Sequence, residues 1–190
     1  MNLVRSTSTT LAGDATSAYL QLREQADRTA LANLSALYSI AVDDHDLDTV
    51  VDCFATDGTF TRLGVVQRGH DDLRRFYATM MDLYVTTLHV PNTQVVDVDT
   101  AAGRATGLVT GHAELALEGR LLCAAYRYDD EYTRIDNRWV FQAREIGFMY
   151  NMPIEEMAIG FADDQRLRVP GRPIAAGDYP ETLPTWNTYR

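Results

Sequence analysis

The chain contains no lysine: all 17 of its basic residues are arginine. That removes Schiff-base catalysis, a phosphate-loop lysine and a lysine general base from the available chemistry. These exclusions hold whatever compositional bias set the choice of arginine. Cysteine is scarce too. Cys53 and Cys123 are the only two, both in apolar contexts, without disulfide-framework or zinc-ribbon spacing. Positive charge is outnumbered, with 27 acidic residues and a formal net charge of −10. A nucleic-acid partner needs a basic face, so DNA and RNA are disfavoured, as is an anionic membrane surface. No apolar run approaches a transmembrane span, and the Ser- and Thr-rich start lacks the apolar core of a secretion signal. A cytoplasmic protein is expected.

What is present fits one domain with a core and room for a cavity: 190 residues, 46% hydrophobic and 23% charged. Residues 1–16 are expected to be a flexible lead-in. From about Ser17 to Val42 the pattern is helical, with Ala30, Leu34, Leu37, Tyr38 and Ala41 forming one apolar stripe. Asp46 can cap a second short helix running through Cys53 and Phe54. Short strands follow at Thr59 to Leu63 and Val65 to Arg68, then a helix from His70 to Leu83.

The period then changes to two. Thr86 to Val98, Arg104 to Leu117, Leu121 to Ile135 and Trp139 to Met149 alternate like strands. Ala101-Ala102-Gly103, Glu118-Gly119 and Asp136-Asn137-Arg138 join them as hairpin turns. Helices first and an antiparallel meander after is an α+β order. A long curved sheet with helices on one face can enclose a cavity. Five of the six prolines fall in the aperiodic residues 151–190. That segment is expected to be an extended arm docked through Ile159, Phe161, Tyr179, Trp186 and Tyr189, on the body or on a neighbour.

A few polar residues stand out against this scaffold. His89 sits in the apolar stretch Leu88-His89-Val90, sharing a strand face with Thr87 and Pro91. A histidine held by an aspartate can move a proton without metal or coenzyme, although most strand histidines are structural. Asp43 and Asp44 end the first helix. Asp43 lies nearly opposite the apolar stripe and Asp44 closer to it, so spacing alone does not choose between them. Arg144 alternates with Gln142, Ile146 and Phe148 on the last strand. An arginine there is either useful or paired with Glu114 or Asp130 across the sheet. His112 lies on the face opposite Gly111 and Ala113. His45 and His70 sit beside acidic residues at helix ends and read as surface residues. The four histidines have no recognised metal-site spacing.

Taken together, these residues resemble the SnoaL-like branch of the nuclear transport factor-like superfamily. Its members include scytalone dehydratase, lindane dehydrochlorinase and the bile acid 7α-dehydratases. The resemblance spans about Thr29 to Met157. It is carried by Leu37-Tyr38-Ser39-Ile40-Ala41-Val42-Asp43, by Leu88-His89, and by Ala124-Ala125-Tyr126-Arg127-Tyr128-Asp129-Asp130-Glu131-Tyr132 leading to Asp136-Asn137-Arg138-Trp139. It implies a cone-shaped α+β barrel whose active site lies between the helices and the concave side of the sheet.

It also implies a catalytic dyad of Asp43 and His89, favouring Asp43 over Asp44. Tyr38 matches a tyrosine of the bile acid enzymes. The dehydrochlorinase carries a lysine there, which argues against halide elimination. Arg144 matches a strand arginine of the dehydrochlorinase. The expected catalytic set is therefore Asp43, His89, Tyr38 and Arg144. His112, Gln142, Ile146 and Phe148 are the expected substrate contacts, with no metal and no cofactor.

The function expected is a dehydratase-type lyase acting on a small, largely apolar cyclic substrate. An isomerase or polyketide cyclase would use the same dyad, and a binding module would have an inert cavity. Enzymes of this branch are often trimers, so a homo-oligomer is expected.

Overall fold

A computed structural model describes residues 13–189. Most of the expected lead-in lies outside the described residues. Helix α1 (Ala15–Asp43) starts where the Asp14 carboxylate accepts the amides of Thr16 and Ser17. Asp46 caps α2 (Leu47–Asp52) through the Thr49 amide. Strands β1 (Phe54–Arg62) and β2 (Val65–Arg68) precede α3 (Gly69–Leu83). The long strands are β3 (Thr86–Asp99), β4 (Arg104–Leu117), β5 (Arg120–Ile135) and β6 (Arg138–Pro153).

One six-stranded sheet runs in the order β2-β1-β6-β5-β4-β3. Residues 86–153 form the antiparallel meander that period-two patterning predicts. A parallel pair, β1 with β6, adds the remaining hairpin to it. Alternation marks strands but not their partners, so that pairing has no sequence signal. The sheet curves without closing.

Within the meander three register shifts leave Asn92, Gln142 and Met149 as extra residues in their strands. Each shift exchanges the faces of the residues beyond it. On β6 the inward row is therefore Phe141, Arg144, Ile146, Phe148 and Asn151, opposite Tyr132, Asp130, Tyr128, Tyr126 and Ala124 of β5. Helices α1 and α3 cover this concave face, and the main core lies between.

The buried stripe of α1 differs from the expected one. It includes Asp27, Leu31, Leu34, Ser35, Tyr38 and Ser39, whereas Leu37 is 48% exposed. Asp27 is tolerated inside because Trp139 Nε1 donates to it at 2.8 Å and Arg134 at 3.0 Å. Ser35 and Ser39 form a small-residue row that packs toward β3, where Gln94 Nε2 donates to Ser35 Oγ at 3.2 Å. Asp43 is the next residue of that row.

The C-terminal arm packs on its own chain. Leu167 bridges Asn151 in parallel and Ala175 in antiparallel fashion, and its side chain joins the main core. A short helix, α4 (Met157–Gly160), precedes it. Phe161 meets Tyr150 edge to face, and Arg127 lies over the Tyr179 ring at 4.3 Å.

Candidate active site

The last residue of α1 meets the first residues of β3, at Thr87 and His89. Asp43 Oδ1 accepts His89 Nδ1–H at 2.6 Å and the Thr87 hydroxyl at 2.8 Å, while Oδ2 accepts the His89 amide at 2.7 Å. Helix termination explains why Asp43 can reach the sheet: Asp44 is the C-cap, and His45 turns the chain away at φ 57°. Asp44 is exposed.

Partial burial pushes the Asp43 carboxyl up. The His89 and Thr87 hydrogen bonds outweigh this and hold it below the usual carboxylate range. Asp43 thus stays an acceptor, which fixes the proton on His89 Nδ1 and leaves the Nε2 lone pair free. Nε2 makes no hydrogen bond with the described residues, and His89 lines an apolar cavity.

That cavity is walled by Phe60, Phe76, Met80, Leu115, Ile146 and Phe148. The expected contacts Ile146 and Phe148 therefore belong to it. Gln142 and His112 do not. Gln142 occupies a bulge and donates to Asp57 at 3.2 Å on the exposed side. His112 donates to Asn92 at 2.6 Å on the outer face, because Gly111 and Ala113 take the inward positions.

Tyr38 lines the cavity with its hydroxyl 2.7 Å from that of Tyr77. Burial pushes both phenols well above their ordinary values, so both stay protonated. One proton lies between the oxygens and the other is free to point elsewhere.

Arg144 is not among the cavity-lining residues. It is 1% exposed and forks onto Asp130 with two bonds of 2.8 Å. The rings of Phe141, Tyr128 and Tyr38 enclose the guanidinium at 3.8, 4.0 and 4.5 Å. Burial works against its charge, but Asp130 overrides this and holds it protonated. Asp130 also accepts the Tyr132 hydroxyl, which in turn accepts from Gln94. Of the alternatives open at Arg144, the structure takes the ion pair.

Several residues here escaped sequence reasoning. Thr87 braces Asp43. Tyr126 and Asn151 line the cavity with buried oxygens, Oη and Oδ1, that have no partner. Tyr126 had a signal: Tyr126, Tyr128 and Tyr132 share one face of β5, an unusual density of hydroxyls in a core. His45 stands at the cavity edge. His70 is half-buried and donates to the Phe54 carbonyl at 3.0 Å. Burial pushes the Cys53 thiol up to about 11, which suits packing rather than nucleophilic attack. Among the described residues no group of three His, Cys, Asp or Glu stands close enough to hold a metal ion. No described helix is long and apolar enough to cross a membrane.

An open curved sheet, helices across its concave side and a cavity between them define the nuclear transport factor-like class of α+β proteins. Residues 23–145 match the SnoaL-like domain, and the chain belongs to that family. Among solved structures it is similar to hexachlorocyclohexane dehydrochlorinase LinA-type3 from Novosphingobium barchaimii LL02. Identity is 19%, coverage is 70% of this chain and 94% of that one, and the TM-score is 0.65. A scytalone dehydratase-like protein from Novosphingobium aromaticivorans is 14% identical over 84% of this chain and 99% of its own, with TM-score 0.68. An NTF2-like protein with a cystatin-like fold from the same species is 19% identical over 72% and 90%, with TM-score 0.59. No curated protein gives a significant match.

Proposed function

We propose that the chain is a cofactor-free lyase that eliminates water from a small, largely apolar cyclic substrate. The observation that carries this reading is the arrangement of His89: Nδ1 tied to a carboxylate and Nε2 unpaired in an apolar cavity. His89 Nε2 removes a proton from a carbon next to an activating group. Asp43 holds the tautomer and stabilises the imidazolium that forms. The electron pair from the C–H bond becomes the new double bond, and the C–O bond breaks. The free proton of the Tyr38–Tyr77 pair, or the Tyr126 hydroxyl, hydrogen-bonds the departing oxygen. The imidazolium returns its proton, and water leaves. A general base of this kind supplies about 10²–10⁴-fold.

Two structural neighbours, a dehydrochlorinase and a scytalone dehydratase-like protein, are eliminating enzymes by name, in keeping with this class of reaction. We further propose a homo-oligomer, a trimer by analogy with the branch. Val85 beside the open edge strand β3, and Leu88 and Val90 on it, expose apolar side chains suited to such a contact.

The test is a panel of cyclic β-hydroxy ketones in deuterium oxide, followed by enone absorbance and by NMR. Enone formation supports the lyase. Deuterium uptake at the acidic carbon without enone reassigns the chain to isomerisation. Neither signal above buffer rate leaves the cavity a binding site.

A further inference from the structure

A groove runs from the β1 side of the cavity to the C-terminal arm. It is lined by Arg62, Leu63, Phe148, Asn151, Leu167 and Arg172, among others, and by no acidic side chain. Arg62, Phe148 and Asn151 line the main cavity as well, so the two spaces adjoin.

Neither guanidinium of the groove has a carboxylate partner among the described residues. Eight of the described arginines meet a carboxylate within 4.0 Å. Arg62 and Arg172 do not, in a protein with 27 acidic residues to offer. The half-buried Arg62 reaches only Met80 Sδ, at 3.2 Å, and the Phe148 ring, at 5.9 Å. A partly desolvated guanidinium without a counter-ion is costly, and an anion would offset that cost.

Asn151 is the other polar group at the junction of groove and cavity. It is 1% exposed, yet its Oδ1 is buried without a partner and its side chain makes no hydrogen bond with the described residues. The arm holds its backbone on both sides: the Asn151 amide donates to the Arg166 carbonyl at 3.0 Å, and the Arg168 amide donates to the Asn151 carbonyl at 2.7 Å. The side-chain amide is thereby fixed at the junction of groove and cavity with its bonding capacity unused. The same arm supplies Arg172.

We propose that this groove is a carboxylate subsite: Arg62 and Arg172 bind the carboxylate of an apolar ring acid, and Asn151 Nδ2 donates to the same group. The inference rests on the cavity being the substrate site and narrows the substrate to an anionic one. Guanidinium forks match a carboxylate's two oxygens. His89 on β3 and Arg62 on β1 stand on opposite walls with three strands between them. The substrate's charged end and its acidic carbon are therefore held apart, and the anion stays away from Asp43. The arm, missing from a minimal helix-and-sheet unit, becomes part of the specificity apparatus.

The experiment is equilibrium binding, measured by calorimetry without turnover. The probes are benzoate, cyclohexanecarboxylate and 1-naphthoate, each against its matched primary alcohol, with inorganic phosphate alongside. The wild-type protein should bind at least one carboxylate about tenfold more tightly than its alcohol, the scale of a charge-assisted bond. Arg62→Gln and Arg172→Gln should each lose most of that preference and leave alcohol binding alone, with unchanged melting curves. Arg104→Gln, remote from the groove, should keep it. His89→Ala should also keep it, which separates this inference from the proposed reaction. No preference in the wild type, whether both probes bind alike or neither binds, overturns the subsite. So does a preference that survives both arginine substitutions. Tighter binding of phosphate than of every carboxylate overturns the assignment to a carboxylate.

Discussion

Tyr126 lies across Gly111 so closely that a Cβ on residue 111 would stand 2.4 Å from the tyrosine hydroxyl. The glycine lets the Tyr126 ring lie flat over β4 on the inward face, beside His89, with ring centroids 6.3 Å apart. Gly111→Ala should therefore cost about 1–3 kcal/mol by overpacking. It should also displace Tyr126 and so slow turnover, as thermal melting and kinetics on one preparation would show.

Removing the Tyr126 hydroxyl should do the reverse to stability. That oxygen is buried without a partner, a desolvation cost of roughly 1–3 kcal/mol. Tyr126→Phe should melt no lower than the wild type, and higher if the whole cost is recovered. Turnover should fall, because the hydroxyl is then a donor kept for substrate. A variant that loses stability instead would mean that the hydroxyl has a structural partner.

Arg144 and Asp130 form a structural pair, and their substitutions should behave accordingly. Arg144→Met alone strands a buried carboxylate and should cost about 3–5 kcal/mol. Arg144→Met with Asp130→Leu removes both charges and should recover most of that loss in a denaturant titration. Activity should return with the fold in the double variant. A stable, correctly folded double variant without activity would restore Arg144 to the catalytic set.

The Asp43 carboxyl sits below its usual value of 3.8, so its contacts contribute stability that is fully present above pH 3.8. That contribution is lost as pH falls through the lower folded value. The melting-temperature gap between wild type and Asp43→Asn should be open above pH 3.8 and close in more acid buffer. A gap that widens in acid would contradict the hydrogen-bonded, ionised Asp43.

The proposed trimer is checked by light scattering at micromolar concentration. Polar substitutions at Leu88 and Val90 should shift the protein toward monomer. A wild-type monomer would remove the proposal. The docking of Leu167 and Tyr179 on their own chain gives the arm a role without a neighbour.

How far the sequence could be read depended on whether local pattern determines the feature. Strand β4 begins and ends where alternation places it, because its inward row of Gly107, Val109, Gly111, Ala113 and Leu115 is unbroken. On β6 alternation rightly groups Arg144, Ile146 and Phe148, but it adds Gln142 to them and sets Phe141 opposite, because no residue type announces the bulge at Gln142. Gln142 was lost to the site for that reason. Asp43 looked misplaced only because Ser35 and Ser39 count as polar in a hydrophobic stripe. As small residues they are what lets α1 approach β3. The choice between ligand and ion pair at Arg144 needed cross-strand register, which periodicity does not carry. Arg172 lay in an aperiodic arm whose route depends on long-range contacts alone.

The most direct measurement compares turnover of Asp43→Asn, Asp44→Asn and His89→Ala on one verified substrate, with melting curves as the fold control. With Asp43 as the partner of His89, Asp43→Asn and His89→Ala each lower kcat by about 10²–10⁴-fold, and Asp44→Asn stays close to wild type. Loss of activity in Asp44→Asn with Asp43→Asn intact would contradict the pairing. Full activity in all three would remove the catalytic role of the pair.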